Sequence, residues 1–309
     1  MKKSITSKNS AQPKVSIILL NWNGWLDTSE CLSSLAKVTY PKVEIVVVDN
    51  GSTDDSVANI KKKFPRIVLV ENEKNMGFAE GNNIGARNAT GDVFLFLNND
   101  TVVDPGFLEP LTTEVVKPCI GVVCPKIMFF KPNDTIWYGG GFLKKHYGTW
   151  HRGFLEKDAG QYDSTTEVEW ASGCALMIRK SLVDKVGLFD PFFFIYLEDV
   201  DLSLRVRKMG LKILYIPQAV IWHKESASTK KFSRRFRFLG ERNILLLAEK
   251  HGLNTFSFYL YDLLHLLKLT VSCLIRLQFM ESVGAWEAKI WYVSNKLSGK
   301  ISSNIKYST

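Results

Sequence analysis

Glu44-Ile45-Val46-Val47-Val48, running straight into Asp49-Asn50-Gly51-Ser52-Thr53-Asp54, is the stretch whose reading decides the architecture. A short apolar, β-branched run closed by a polar turn predicts a buried strand, because a helix needs a longer periodic segment. Ser52, Thr53 or Asp54 can then cap a helix continuing to about Phe64. The same unit recurs on both sides. Val15–Leu20 precedes the turn Asn21-Trp22-Asn23-Gly24. Ile67–Val70 reads as a further strand, as does Val93–Leu97, which runs into Asn98-Asn99-Asp100. Helices are predicted over about Thr28–Ala36 and Gly81–Ala89. Strands alternating with helices at this spacing predict βαβ units, hence an α/β fold with a mainly parallel central sheet flanked by helices. The polar clusters follow the C-terminal ends of the strands, the edge where open α/β sheets bind ligands.

Downstream, Ile120–Met128 and Val168–Ile178 predict strands, joined by a glycine- and aromatic-rich stretch that includes Trp137-Tyr138-Gly139-Gly140-Gly141. Leu197 to about Met209 predicts a helix, and Leu211–Ile216 a strand ended by Pro217. The expected organisation is a flexible N-terminus over 1–14, an α/β domain over 15–228 with halves at about 15–104 and 105–228, and a basic, amphipathic helical region over 229–309.

Of 309 residues, 46% are hydrophobic and 23% charged, which excludes a disordered chain, a collagen-like repeat and a small disulfide scaffold. The net charge of +9 is unevenly placed: residues 221–309 hold 14 Lys/Arg against 6 Asp/Glu, a net of +8. An anionic partner is therefore expected for that segment only. The five cysteines, Cys31, Cys119, Cys124, Cys174 and Cys273, are scattered without CxxC spacing, which argues against a disulfide framework or structural zinc and fits a reducing compartment. No apolar stretch of signal-peptide length follows the N-terminal lysines, so the expectation is a cytoplasmic protein. In the basic segment, Lys230-Lys231-Phe232-Ser233-Arg234-Arg235-Phe236-Arg237-Phe238 interleaves cations with aromatics. Phe256–Phe279 is very apolar but interrupted by Asp262, His265, Lys268, Ser272 and Arg276, three or four residues apart, forming one polar stripe on a helix. Either a membrane surface or the protein body can cover such a helix. Peripheral membrane contact is expected through 230–279, at the inner face of the cell membrane. One basic-aromatic stretch beside an apolar helix favours phosphate or lipid headgroups over nucleic acid.

Four groups carry chemistry. Asp100, a carboxylate at a strand end among carboxamides, suits a hard cation shared with phosphate oxygens, or simply a turn. Glu198-Asp199-Val200-Asp201 opens a helix behind Phe192-Phe193-Phe194-Ile195-Tyr196. Its acids complement the helix dipole, and since neighbours on a helix are about 100° apart, one of them can face a cleft as general base. His223 is either a structural histidine or a ligand. Asp49 and Asp54 suit a base or ribose, or equally a turn and a cap. Neither GxGxxG nor GxxxxGK[ST] occurs in a strand-to-helix context, so dehydrogenase and P-loop readings lose ground. A nucleotidyltransferase would need a Gly/Arg/Lys-rich loop after the first strand, where Asn21-Trp22-Asn23-Gly24 stands. A non-catalytic binding protein would not require Asp100, Asp199 and His223 together.

The ordered set Val15–Gly24, Val46–Asp54, Asn75–Asn83, Phe94–Thr101, Ser172–Arg179, Phe194–Arg205 and Ile221–Glu225, with Arg242-Asn243 beyond, resembles the family 2 glycosyltransferases of GT-A fold, in particular their rhamnosyltransferase-like branch. The resemblance spans about residues 15–250. It implies an inverting transfer of a sugar from a nucleotide-diphosphate donor to a hydroxyl of a cell-surface polysaccharide or lipid-linked glycan. L-rhamnose from dTDP-L-rhamnose is the implied donor, with a UDP-hexose as the alternative. Residues 15–104 would be the donor half and 105–228 the acceptor half. Asp49 would read the base, with Asn21, Asp54, Asn75, Gly77, Asn82 and Asn99 around the donor. Asn98-Asn99-Asp100 occupies the place of the DxD metal motif with its first acid replaced by Asn98. Asp100 and His223 would therefore hold the Mg²⁺ or Mn²⁺. Asp199 matches the catalytic base, Glu198 would assist the acceptor, and Trp170 with Ser172-Gly173-Cys174 would form the acceptor wall.

Overall fold

The computed structural model describes residues 12–144, 148–225 and 233–301. In chain order the elements are β1 (Val15–Asn21), α1 (Trp25–Leu35), β2 (Val43–Asp49), α2 (Ser56–Lys63), β3 (Val68–Glu71), α3 (Gly77–Asn88), β4 (Val93–Asn98), β5 (Thr101–Val103), α4 (Leu108–Val115) and β6 (Ile120–Phe129). There follow β7 (Ile136–Tyr138), β8 (Gly141–Leu143), β9 (Thr149–His151), β10 (Thr166–Val168), β11 (Ala175–Arg179), α5 (Lys180–Val186), α6 (Glu198–Lys208), β12 (Lys212–His223), α7 (Arg234–His251), α8 (Phe256–Ile275) and α9 (Phe279–Leu297).

One sheet in the order β10-β12-β6-β11-β4-β1-β2-β3 organises the α/β body. Its first half is parallel, β1 pairing with β2 and β4, and β2 with β3. Burial on both faces explains why β1 and β4 read as near-continuous apolar runs, with Ile17, Ile18, Leu19, Leu95 and Phe96 all inaccessible. The second half is mixed. β11 runs antiparallel to both β4 and β6, β10 antiparallel to β12, and β12 parallel to β6. With those directions, the C-terminal ends of β1, β2, β4 and β12 and the N-terminal end of β11 all reach the same sheet edge. β5 turns back beside β12 in a register that sets His223 opposite Thr101, one residue after Asp100.

Three sequence expectations are corrected. Val168–Ile178 is not one strand: β10 and β11 lie on opposite sides of β12 and β6, and residues 169–174 cross between them. Apolar composition alone carries no mark of that crossing. Pro217 does not end β12, which continues to His223. The ladder to β6 shifts register between Ile216 and Val220, and Pro217 sits in that irregularity, where no amide hydrogen is required. Finally, α3 starts at Gly77, a turn earlier than expected, because the Phe194 carbonyl accepts from the amides of Phe78 (2.7 Å) and Ala79 (3.1 Å). A cap supplied by distant chain satisfies the first-turn donors without a local capping side chain.

Among the described residues the C-terminal region forms three helices. Ser233 and Thr255 accept from the Phe236 and Phe258 amides as N-caps of α7 and α8. α7 docks on the α/β body and carries α9, and α8 packs against α9. The Lys230-Lys231-Phe232 part of the basic stretch lies outside the described residues.

Candidate functional site

At the ends of β1, β2 and β4, one chain of polar contacts runs across the sheet. Asn99 Nδ2 donates to Thr28 Oγ1 (2.8 Å), Thr28 Oγ1 to Asn21 Oδ1 (2.7 Å), and Asn21 Nδ2 to Asp49 Oδ1 (2.7 Å). Ser52 completes it, donating its hydroxyl to Asp49 Oδ1 (2.6 Å) and its amide to Oδ2 (2.9 Å). Asp49 and Asn21 are buried, which fixes the direction of both side chains. Asp54 lies on the exposed rim and accepts from the Ser56 amide at the start of α2.

The Asn75–Asn83 stretch is held from Asn50, which lies inside the Val46–Asp54 motif without a role read for it from sequence. Buried Asn50 donates to Asn75 Oδ1 and to the Gly77 carbonyl (both 3.1 Å) and accepts from the Met76 amide and from Asn72. Gly77 has φ +82, and a Cβ there would lie 2.5 Å from the Phe194 ring, so only glycine lets this turn meet the loop ahead of α6. Asn82 is turned into α3, donating to the Phe78 carbonyl. Gly77 and Asn82 thus make cap and packing contacts here.

The register of β5 against β12 brings His223 Nε2 within 3.1 Å of Asp100 Oδ1, both side chains being buried. The Trp137 ring meets the imidazole edge-on, 4.6 Å between centroids, and its indole N–H donates to Glu225. Burial alone would disfavour a charged imidazole, but Cys174 and Asp100 beside it outweigh burial and hold the His223 pKa well above the usual histidine value. One carboxylate and one imidazole side by side, with no cluster of three or more such ligands among the described residues, fit a divalent cation that completes its shell with substrate phosphates and water, provided the cation displaces the imidazole proton, since only neutral imidazole ligates.

The three acids at the start of α6 part company. Asp199, partly exposed, accepts from the Gly173 amide at Oδ2 (2.7 Å) and the Val200 amide at Oδ1 (2.8 Å). Desolvation raises its pKa above the ordinary 3.8, and those two amides oppose the rise. A Cβ on Gly173 would sit 3.3 Å from the Phe78 ring and 3.4 Å from Asp199 Oδ2, so a side chain there would crowd the carboxylate. Glu198 is buried, and Oε2 has no partner among the described residues. Burial first, then the charges of Asp199 and Asp201, push its pKa far up. Asp201 turns the other way, into a buried ion-pair cluster with Arg205, Lys250 and His251. Dipole complementation and cleft-facing chemistry are therefore divided among neighbouring residues about 100° apart.

Gly173-Cys174 joins the two clusters: the Gly173 amide holds Asp199, Cys174 lies beside His223, and the Cys174 carbonyl accepts from the Asn98 amide (2.8 Å). Ser172 is buried, its hydroxyl accepting from the Cys174 amide. Trp170 departs from the acceptor-wall expectation. It is 3% exposed, and its indole N–H donates to the Phe142 carbonyl, because the crossing after β10 carries it into the core against Tyr138 and His151.

The loop that presents Asp199 is strained. Phe194 (φ 64), Tyr196 (φ 75) and Leu197 (φ 67) are non-glycine residues in the left-handed region, and the Ile195 amide closes a γ-turn on the Phe193 carbonyl (2.8 Å). Asn243 of α7 holds it, donating Nδ2 to the carbonyls of Phe193, Ile195 and Tyr196 (3.0, 2.8 and 2.7 Å). Arg242 adds bonds to the Phe192 and Phe193 carbonyls and orients Asn243 Oδ1. Asn243→Ala removes those three bonds and is expected to cost about 1–3 kcal/mol. Denaturant unfolding measures that loss. Turnover should fall further than the folded fraction does, since relaxation of the loop moves Asp199.

The profile described as glycosyl transferase family 2 matches residues 16–187, more than half of the chain. The O-antigen biosynthesis protein RfbC of Myxococcus xanthus is 30% identical over 232 residues, covering 71% of this chain but only 18% of that protein's length. The N-acetylglucosaminyl-diphospho-decaprenol L-rhamnosyltransferase of Mycobacterium tuberculosis is 27% identical, covering 64% of this chain and 72% of its own. In fold, GalNAc-T7 solved with UDP, GalNAc and Mn²⁺ superposes with a TM-score of 0.63 at 20% identity over 78% of this chain and 48% of that one. The architecture is GT-A, and the chain belongs to glycosyl transferase family 2.

Proposed function

We propose that this chain is an inverting, metal-dependent glycosyltransferase that moves a sugar from a nucleotide-diphosphate donor to a hydroxyl of a polysaccharide or lipid-linked glycan. The observation that carries the proposal is the Gly173-Cys174 link, which sets Asp199 and the Asp100–His223 pair beside consecutive residues at the ligand-binding sheet edge. Asp49, Asn21 and Asn99 form the donor end of that edge. Asp100 and His223 are the residues that would hold Mg²⁺ or Mn²⁺, which when bound neutralises charge on the leaving diphosphate. Asp199 takes the proton from the acceptor hydroxyl. Its raised pKa makes it a stronger base than an ordinary aspartate while the Gly173 and Val200 amides aim it. Glu198, buried next to Asp199 with one carboxyl oxygen unpartnered among the described residues, is the residue that would assist the acceptor.

For the donor, similarity to the mycobacterial L-rhamnosyltransferase supports dTDP-L-rhamnose, and the UDP held by GalNAc-T7 keeps a UDP-hexose as the second reading. The basic segment supports peripheral contact over 230–279 with an anionic inner leaflet, where a lipid-linked acceptor would be presented. The test is a panel of sugar nucleotides incubated with and without Mn²⁺ or Mg²⁺. Metal-dependent turnover of one class is the expected result, and no metal-dependent binding or hydrolysis with any would sink the proposal. In the same assay, His223→Ala should raise the metal concentration needed for half-maximal turnover at least about tenfold. An unchanged metal requirement removes His223 from the ligand set.

A further inference from the structure

The polar stripe of α8 does not face solvent as a unit. Asp262 is turned inward, 2.6 Å from Lys289 of α9, and His265 lies 3.5 Å from Glu241 of α7. Phe258, Leu266 and Cys273 are the buried positions of the same inner side. The outward side is apolar. Phe256, Leu260, Leu263, Leu264, Leu267, Val271, Leu274 and Ile275 are all exposed, from 47% at Leu263 to 83% at Phe256, where soluble packing would have covered them. At 100° per residue these positions share one arc of about 120°, with Lys268 at its rim. α9 repeats the pattern. Phe279, Val283, Trp286, Ile290, Val293 and Leu297 are exposed at spacings of three and four residues, while Glu281, Ala285, Ala288 and Tyr292 are buried. The Trp286 indole donates to Thr270 Oγ1 (3.1 Å), which joins the two apolar sides.

We infer that α8 and α9 together form a monotopic membrane-docking face that beds into one leaflet of an anionic bilayer. This deepens the peripheral contact proposed above over 230–279 and rests on it, but it assigns the lipid-facing surface to two outward apolar helix faces and extends it to Leu297. The occupant is argued from two features. A soluble helix pair hides its apolar sides, whereas here charged groups pair inside and leucines face out, which suits a hydrocarbon neighbour. Exposed Lys268 sits beside that surface, where a long cationic side chain reaches anionic headgroups. α8 is itself long and apolar enough to cross a membrane. Its pairs with Lys289 and Glu241 tie it along the packed helices instead, so it lies in the leaflet plane.

The test uses the full chain with phosphatidylglycerol and phosphatidylcholine vesicles. Wild type should co-sediment with the anionic vesicles. Ile290→Glu/Val293→Glu and Leu264→Glu/Leu267→Glu, exposed positions whose thermal melts should match wild type, should each reduce that binding at least about tenfold. Bromolipid quenching of tryptophan fluorescence should shrink in Trp286→Phe. If wild type binds and both double variants bind equally well, this inference falls while the peripheral contact stands. If wild type binds no vesicles, both fall. Self-association of wild type abolished by the same substitutions, without vesicle binding, identifies a second copy as the occupant and likewise overturns it. Sugar-nucleotide turnover with a soluble acceptor should be unchanged in the variants, which separates these outcomes from the catalytic reading.

Discussion

Asp199→Asn is expected to lower kcat by about 10²–10⁴-fold, the range a positioned general base supplies, while leaving the donor dissociation constant near its wild-type value. The substitution removes the proton acceptor and keeps the shape. Both carboxylate oxygens accept backbone amides, from Gly173 and Val200, so an asparagine must set its own N–H₂ against one of them. Loss of activity alone therefore does not separate a base from a support for Gly173. The pH profile does. Only the ionised carboxylate can accept the proton, and desolvation lifts its pKa above 3.8, so activity should fall with decreasing pH along a limb lying above the ordinary aspartate range. That limb should be absent from the residual activity of Asp199→Asn. Near-normal turnover by the variant, or an unchanged acid limb, removes Asp199 from the role.

Asp201→Asn is expected to destabilise the fold by about 3–5 kcal/mol, since it strands buried cations. Asp201 is inaccessible and within 2.9–3.1 Å of Arg205 Nε, His251 Nε2 and Lys250 Nζ, and Lys250 also meets Asp190 at 2.6 Å. Burial would raise the Asp201 pKa, but His251, Arg205 and Lys250 prevail and hold it at about 2. With the folded value below the unfolded one, the stabilisation is fully present above 3.8 and is lost as pH falls toward about 2. Urea unfolding should show a lowered midpoint for Asp201→Asn at neutral pH, with the gap to wild type closing through that acid window. A midpoint equal to wild type at neutral pH would show that the cluster adds no net stability. Because α7 also carries Asn243, partial loss of this docking should loosen the loop before Asp199.

The two aspartates are two residues apart and illustrate how far the sequence reaches. The alternation of strand and helix from Val15 to Asp100, and the polar residues closing each strand, were legible because parallel strands buried on both faces must be apolar throughout, and their turns must not be. The order of short motifs, through its resemblance to a known family, located Asp100, Glu198-Asp199 and His223 as candidates. That Asp199 opens toward Gly173 while Asp201 points at α7 was not legible, since a helix start presents each acid to a neighbour the local sequence does not contain. The same holds for Trp170, an aromatic whose burial follows from where the chain crosses after β10. It holds for Asn50 and Asn243 too, whose hydrogen bonds go to carbonyls and amides 22–50 residues away.

The amino-acid sequence by itself thus determined the α/β class, the parallel first half of the sheet, and which strand ends carry polar side chains, because those follow from local periodicity and from turn chemistry. Tertiary structure alone decided that β12 runs through Pro217 to set His223 against Asp100, that the Phe194 carbonyl begins α3, and that the apolar sides of α8 and α9 face outward. Each depends on what lies across a ladder or helix contact, and pairing partners far apart in the chain leave no periodic trace in either segment.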